Sequence, residues 1–169
     1  MSLDNTRLLD FLGELDKELS RKIIVVAVGG TAMTLLKVKS STIDVDFTIP
    51  GEYYDEFEAV LKIVPHGFTV HCFHDGAVFV NMLPGDYLKK SIQIKTKLKN
   101  IELRALHPVD IVVTKIGRLD DRDQQDIESC IKNFKLKKNE IVKRSGQLGY
   151  AANEANYRTN LQHVIKKFF

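Results

Sequence analysis

The sequence predicts an α/β (α+β) fold, with a mixed β-sheet core followed by a helical C-terminal segment. Three observations carry this. A continuous β-branched run, Ile23–Val28 (IIVVAV), has the pattern of a strand buried on both faces. Apolar and polar residues alternate cleanly over Thr42–Ile49, the period of a strand. After Pro108 the texture becomes helical to the C-terminus. The boundary near Pro108 divides the chain into an α/β core over residues 1–107 and a helical segment over residues 108–169, packed on the core.

The elements follow in order. Leu8, Phe11, Leu12, Leu15 and Leu19 recur at steps of three and four, so Asp4–Leu19 reads as an amphipathic helix. The Ile23–Val28 strand stops at Gly29-Gly30, and Thr31 is placed to cap a short helix, TAMTLLKV. In the alternating strand, Ile43, Val45, Phe47 and Ile49 face one way and Thr42, Asp44, Asp46 and Thr48 the other. Pro50-Gly51 ends it. Tyr53, Phe57, Val60, Leu61 and Val64 then mark a helix closed by Pro65 and Gly67. Four strands follow: Phe68–Phe73, Ala77–Met82, Ser91–Thr96 and Ile101–Leu106. His74-Asp75-Gly76 makes a hairpin turn between the first two. The helical segment reads as Val109–Leu119, Arg122–Asn133, Lys138–Ser145 and Ala152–Phe168.

Composition narrows the classes of function. The 169 residues are 44% apolar and 28% charged, enough for a packed core without disulfide or metal. No apolar run approaches the roughly 20 residues that span a bilayer. The acidic, amphipathic N-terminus fits neither a signal nor a transit peptide. Two cysteines, Cys72 and Cys130, form no framework, so a reducing cytoplasm is expected. The net charge of +3 conceals a split. Residues 132–169 hold nine Lys/Arg against two Asp/Glu, while the other 131 residues hold sixteen against twenty. A basic end on an acidic body predicts an anionic partner there, an RNA or protein acceptor; the alternative is a well-solvated terminal helix pair.

The chemistry concentrates in Val28–Phe47, VGGTAMTLLKVKSSTIDVDF. Two glycines after a strand let backbone approach a ligand, and the helix that follows offers N–H groups to an anion. Asp44-x-Asp46 then places two carboxylates on one strand face, roughly 7 Å apart. Mg²⁺ is commonly held by one or two carboxylates completed by substrate phosphates, and paired ions can stabilise both oxygens of a phosphoryl displacement. Asp disfavours strands, so two in one strand call for a reason.

Gly29-Gly30, followed fourteen residues after Gly30 by Asp44-x-Asp46, resembles the signature of the nucleotidyltransferase fold, the polymerase-β-like superfamily. Gly29, Gly30, Thr31, Ser41, Thr42, Asp44, Asp46 and Phe47 resemble the first motifs of the minimal AbiEii-toxin-like type. In PVDIVVTKIGRLDDRDQQD, Asp110, Lys115, Arg122, Asp123 and Asp126 resemble its helical motifs. The resemblance spans roughly residues 23–130 and implies a nucleoside triphosphate (NTP) bound at the glycine turn, with Thr31, Thr42 and Arg122 among its contacts. It implies Mg²⁺ (or Mn²⁺) on Asp44 and Asp46, and transfer of a nucleoside monophosphate to an acceptor hydroxyl, in some members within a toxin–antitoxin pair.

Such enzymes carry a third carboxylate on a later central strand. Here Ser91–Thr96 offers Gln93 and Lys95 but no acid. Glu102 is the expected third catalytic acid, Asp86 the alternative; if neither serves, a catalytically silent nucleotide-binding or interaction module remains. Lys115 can reach a triphosphate as a point charge from its helix. HCFHD, with His71, Cys72, His74 and Asp75, lacks a second ligand pair at zinc-site spacing. No Walker or nucleophile-elbow motif is present.

Overall fold

The computed structural model describes residues 1–150 and 154–169. The core runs β1 (Leu3–Asp4), α1 (Asn5–Glu18), β2 (Ile23–Ala27), α2 (Gly29–Leu35), β3 (Ser41–Thr42), β4 (Val45–Ile49), α3 (Gly51–Ile63) and β5 (Val70–His74). It continues through β6 (Ala77–Val78), β7 (Asn81–Met82), α4 (Tyr87–Lys90), β8 (Ile92–Gln93) and β9 (Ile101–Ala105). The rest is α5 (Pro108–Ile116), α6 (Asp121–Phe134), α7 (Lys138–Ser145), β10 (Gly149–Tyr150) and α8 (Glu154–Phe168). The expected start of the last helix at Ala152 lies outside the described residues.

The main sheet is mixed, in the order β5-β4-β2-β9-β8. β2 is antiparallel to β4 and parallel to β9, while β4 is parallel to β5. Phe47 on β4 meets Phe57 of α3 edge-on, centroids 5.6 Å apart, so α3 covers that face. Asp46 and Thr48 point to the opposite face. There α2 packs on β4 and β9, and α5 packs on α2. α1 is tied down by a buried acid. Asp16 accepts the N–H groups of Lys99 (3.0 Å), Asn100 (2.7 Å) and Ile101 (2.8 Å), fixing the helix to the entrance of β9.

α5 is buried along its whole length and the helical segment wraps it. From α8, Tyr157 Oη donates to the Val113 carbonyl at 2.6 Å and Asn160 to the Ile116 carbonyl at 2.9 Å. From α7, Arg144 grips Asp110 with two hydrogen bonds, Nε to Oδ1 at 2.6 Å and an Nη to Oδ2 at 3.0 Å. Its remaining Nη reaches Asp86 at 2.9 Å. Arg144 therefore adds no surface charge to the basic end, and Asp86 and Asp110 hold helices together. Lys132 and Arg158 pair with Glu128 and Glu154 on their own helices.

Five local expectations are corrected. The Thr42–Ile49 strand is broken. Thr42 pairs with β1, and Ile43, 54% exposed, and Asp44 lie in a bend before β4. The Thr42 hydroxyl donates to the Asp44 carbonyl at 2.8 Å, and that local bond competes with the strand ladder. Thr31 does not cap α2, which starts two residues earlier after Val28, because Gly29 at φ +54° turns the chain straight out of β2. His74-Asp75-Gly76 does turn, with Asp75 and Gly76 at positive φ, but joins two sheets rather than a hairpin. Ala77–Met82 folds back on itself at Phe79 (φ 52°) as the hairpin β6–β7, whose outer edge β10 completes. The Ser91–Thr96 strand shortens to β8. Among the described residues, no helix is long and apolar enough to cross a membrane.

The hairpin sits hard against the end of α5. A Cβ on Gly117 would stand 2.7 Å from Asn81 Oδ1 and 2.9 Å from Val80 Cγ2. Gly117→Ala is expected to cost about 1–3 kcal/mol through overpacking, roughly 2–12 °C in thermal midpoint, measurable by calorimetry.

Candidate active site

The site is built around one helix–strand junction. The Thr31 hydroxyl, fully buried, accepts from the Asp46 N–H at 2.9 Å and donates to the Asp44 carbonyl at 3.3 Å. Thr31 thus fastens the Asp44–Asp46 backbone to α2, and Thr42 ties the Asp44 carbonyl to β3. A Cβ on Gly29 would stand 3.6 Å from Asp46 Oδ2, and one on Gly30 would stand 3.0 Å from Thr42 Oγ1. Gly29 is called for by its φ of +54°, and Gly30 by the close approach of the Thr42 hydroxyl.

A cleft of about 400 Å³ opens here. From one side it is lined by Gly30, Lys39, Thr42, Asp44 and Asp46; from the other, Lys115, Arg118, Arg122, Asp123 and Asp126 face it. Two stretches some seventy residues apart in sequence therefore meet across one cleft. Gly29 and Thr31 lie behind it, not on its wall. Among the described residues, none from 132–169 lines it.

Asp46 is buried, and burial raises its carboxyl above the usual aspartate range, with Asp44 adding to the rise. His71, opposite Asp46 on the neighbouring parallel strand β5, opposes this: its Nδ1 lies 2.7 Å from Asp46 Oδ1. That bond leaves Oδ2 toward the glycine turn. Arg118 also lowers the Asp46 carboxyl, and its guanidinium lies 3.9 Å over the Phe79 ring.

Lys115 is 3% exposed and engaged from both sides, to Asp126 at 2.9 Å and Asp123 at 3.3 Å. Asp123 also accepts from Arg118 at 2.9 Å, and Asp126 from Lys39 at 3.0 Å. Arg122 is exposed on the cleft rim. Cys72 and Cys130 are pushed up to about 12 by burial, which leaves no reactive thiol.

Glu102 lies elsewhere. It pairs in register with Ile24, while Asp46 meets Val28, just past the end of β2 and four residues further along, roughly 13 Å at 3.3 Å per residue. It is exposed, contacts Arg104 at 3.3 Å and lines a separate groove with Lys22 and Tyr53. The strand position beside Asp46 belongs to His71. Among the described residues, no three or more His, Cys, Asp or Glu converge to hold a metal. The donor chemistry nevertheless fits a hard divalent ion: two carboxylates on one cleft, one with an oxygen free of His71, to be completed by phosphate oxygens.

Sequence reasoning did not single out Lys39 or Arg118, and weighed His71 only as a zinc ligand. Arg118 stands one helical turn after Lys115, which was a usable signal. Lys39 had none, and nothing tied His71 to Asp46, because only the fold brings a loop to Asp126 and a neighbouring strand to Asp46.

A family model described as "Nucleotidyltransferase of unknown function (DUF6036)" matches residues 6–168. No curated protein and no solved structure matches the chain.

Proposed function

Because the chain belongs to this family of nucleotidyltransferases of unknown function, we propose that the Gly30–Asp46–Lys115 cleft binds an NTP and transfers its nucleoside monophosphate to an acceptor hydroxyl. The observation that carries the reading is the meeting of two carboxylates, Asp44 and Asp46, with three cations, Lys115, Arg118 and Arg122, across one cleft beside the glycine turn. Lysine and arginine are suited to phosphate oxygens, as point charge and as planar fork respectively. Asp44 and Asp46 are the residues that would hold Mg²⁺ or Mn²⁺, which when bound supplies charge neutralisation at the phosphates.

The chain's own residues do the rest. Thr31 and Thr42 hold the backbone that bears both aspartates. His71 fixes the orientation of Asp46. Lys115, Arg118 and Arg122 bind the triphosphate and stabilise charge on the departing pyrophosphate. Glu102, remote from the cleft, is left out of this scheme. The motifs similar to AbiEii-type toxins extend the proposal to an RNA or protein acceptor and a toxin–antitoxin role in the cytoplasm. The basic residues Lys137, Lys138 and Lys143 are the surface for such an acceptor.

The test incubates the protein with each α-labelled NTP, Mg²⁺ or Mn²⁺, and total RNA and protein. Label is expected on one acceptor class with one preferred nucleotide. No transfer, together with no thermal shift on adding any NTP, would replace the enzyme by a silent interaction module.

A further inference from the structure

The cationic wall of the cleft contains an arrangement that nucleotide transfer does not by itself explain. A single oxygen, Asp126 Oδ2, lies between two ammonium groups, 2.9 Å from Lys115 Nζ and 3.0 Å from Lys39 Nζ. Asp123 Oδ1 likewise lies between Lys115 Nζ at 3.3 Å and Arg118 at 2.9 Å. The row reads Lys39, Asp126, Lys115, Asp123, Arg118: three cations spaced by two carboxylate oxygens.

The two acids are held differently. Asp123 is 1% exposed and locked into the start of α6, its N–H donating to Asp120 at 2.8 Å. Asp126 lies a turn further into α6, and its side chain, paired with Lys39 and Lys115, is 11% exposed at the cleft. Lys39 comes from the loop between α2 and β3, on the other side. Its Nζ lies 3.6 Å from where a Cβ on Gly30 would stand, directly over the glycine turn. It is 30% exposed, with a long, rotatable stem.

We propose that Lys39 is a polyphosphate-binding residue and that Asp126 stands in for a phosphate oxygen. An incoming triphosphate takes the place of Asp126 Oδ2 between Lys39 and Lys115, while Asp123 keeps Lys115 aimed into the cleft. This rests on the reading of the cleft as an NTP site. A phosphate oxygen is an anionic acceptor, like the carboxylate it displaces, so both ammonium groups stay paired throughout. The free protein avoids burying Lys115 unpaired, and nucleotide affinity is lowered by the exchange.

The experiment measures binding of inorganic tripolyphosphate by titration calorimetry to the whole chain, with thermal unfolding as a check on folding. Lys39→Gln is expected to weaken binding roughly tenfold, and Lys39→Arg to restore most of it. Asp126→Asn, by removing the competing charge, is expected to tighten binding severalfold. Wild-type affinity in Lys39→Gln, or weaker binding in a folded Asp126→Asn, would overturn the inference. If Asp126→Asn does not fold, the Lys39 pair alone decides. Absence of tripolyphosphate binding by the wild type would instead overturn the NTP reading on which the inference depends.

Discussion

Asp46→Asn is expected to reduce nucleotidyl transfer by on the order of 10²–10⁴-fold while the chain stays folded. In the proposed scheme Asp46 would hold the metal ion, whose charge stabilisation in the transition state is several kcal/mol, and each 1.36 kcal/mol is about tenfold in rate. The amide keeps the shape and a partner for His71, whose Nδ1 lies 2.7 Å from Asp46 Oδ1. Stability follows the opposite course from activity. Burial raises the Asp46 carboxyl, so the folded state prefers the protonated form. The stability this gives is present below the unfolded carboxyl pKa of about 3.9 and is lost as pH rises through the folded value. The asparagine variant has no such loss. Thermal midpoints against pH should therefore show the variant gaining on the wild type from about pH 4 upward. A variant that unfolds at neutral pH, or that transfers label at the wild-type rate, would contradict this account of Asp46.

The second large effect is structural. Arg144→Ala is expected to destabilise the chain by about 3–5 kcal/mol, because it leaves Asp110 buried without its cation. Asp110 is 1% exposed and takes two of the Arg144 hydrogen bonds. At roughly 2–4 °C per kcal/mol for a chain of this size, the midpoint should fall by about 6–20 °C. Replacing both partners, Arg144→Met with Asp110→Leu, is expected to recover most of the loss, since no charge is then left unpaired. Equal losses in the single and double variants would show that packing at α7, not the ion pair, holds the segment. The contact to Asp86 matters less, because that side chain is 48% exposed.

Much of the fold was legible locally. Ile23–Val28 announced a doubly covered strand, and β2 is the centre of the sheet, between β4 and β9. The steps of three and four in Leu8–Leu19 marked α1, and Lys138–Ser145 emerged as α7 with the same bounds. Misreadings occurred where a distant partner decided the outcome. Ala77–Met82 has strand composition, yet it turns at Phe79, packed between Phe73 of the preceding strand and Arg118, far off in sequence. Ile43 fits the alternation but is exposed, because β1 and two threonine hydroxyls bend the chain beside it. Of the site, Gly29, Gly30, Asp44 and Asp46 were visible as a short-range pattern. Asp110 and Asp86 were chemically plausible acids that Arg144 holds away from the cleft.

The sequence alone determined the mixed α/β class, the glycine turn facing two aspartates, and the clustering of Lys115 with Arg122, Asp123 and Asp126 on neighbouring helices. These depend on period, spacing and residue chemistry within a few turns of chain. Tertiary structure alone decided that Lys39 and Lys115 share one Asp126 oxygen, that His71 rather than Glu102 stands beside Asp46, and that the basic end lies off the cleft. The physical reason is that charge interactions act over a few ångströms in space. The sheet order and the packing of α5 on α2, not separation along the chain, set which charges come that close.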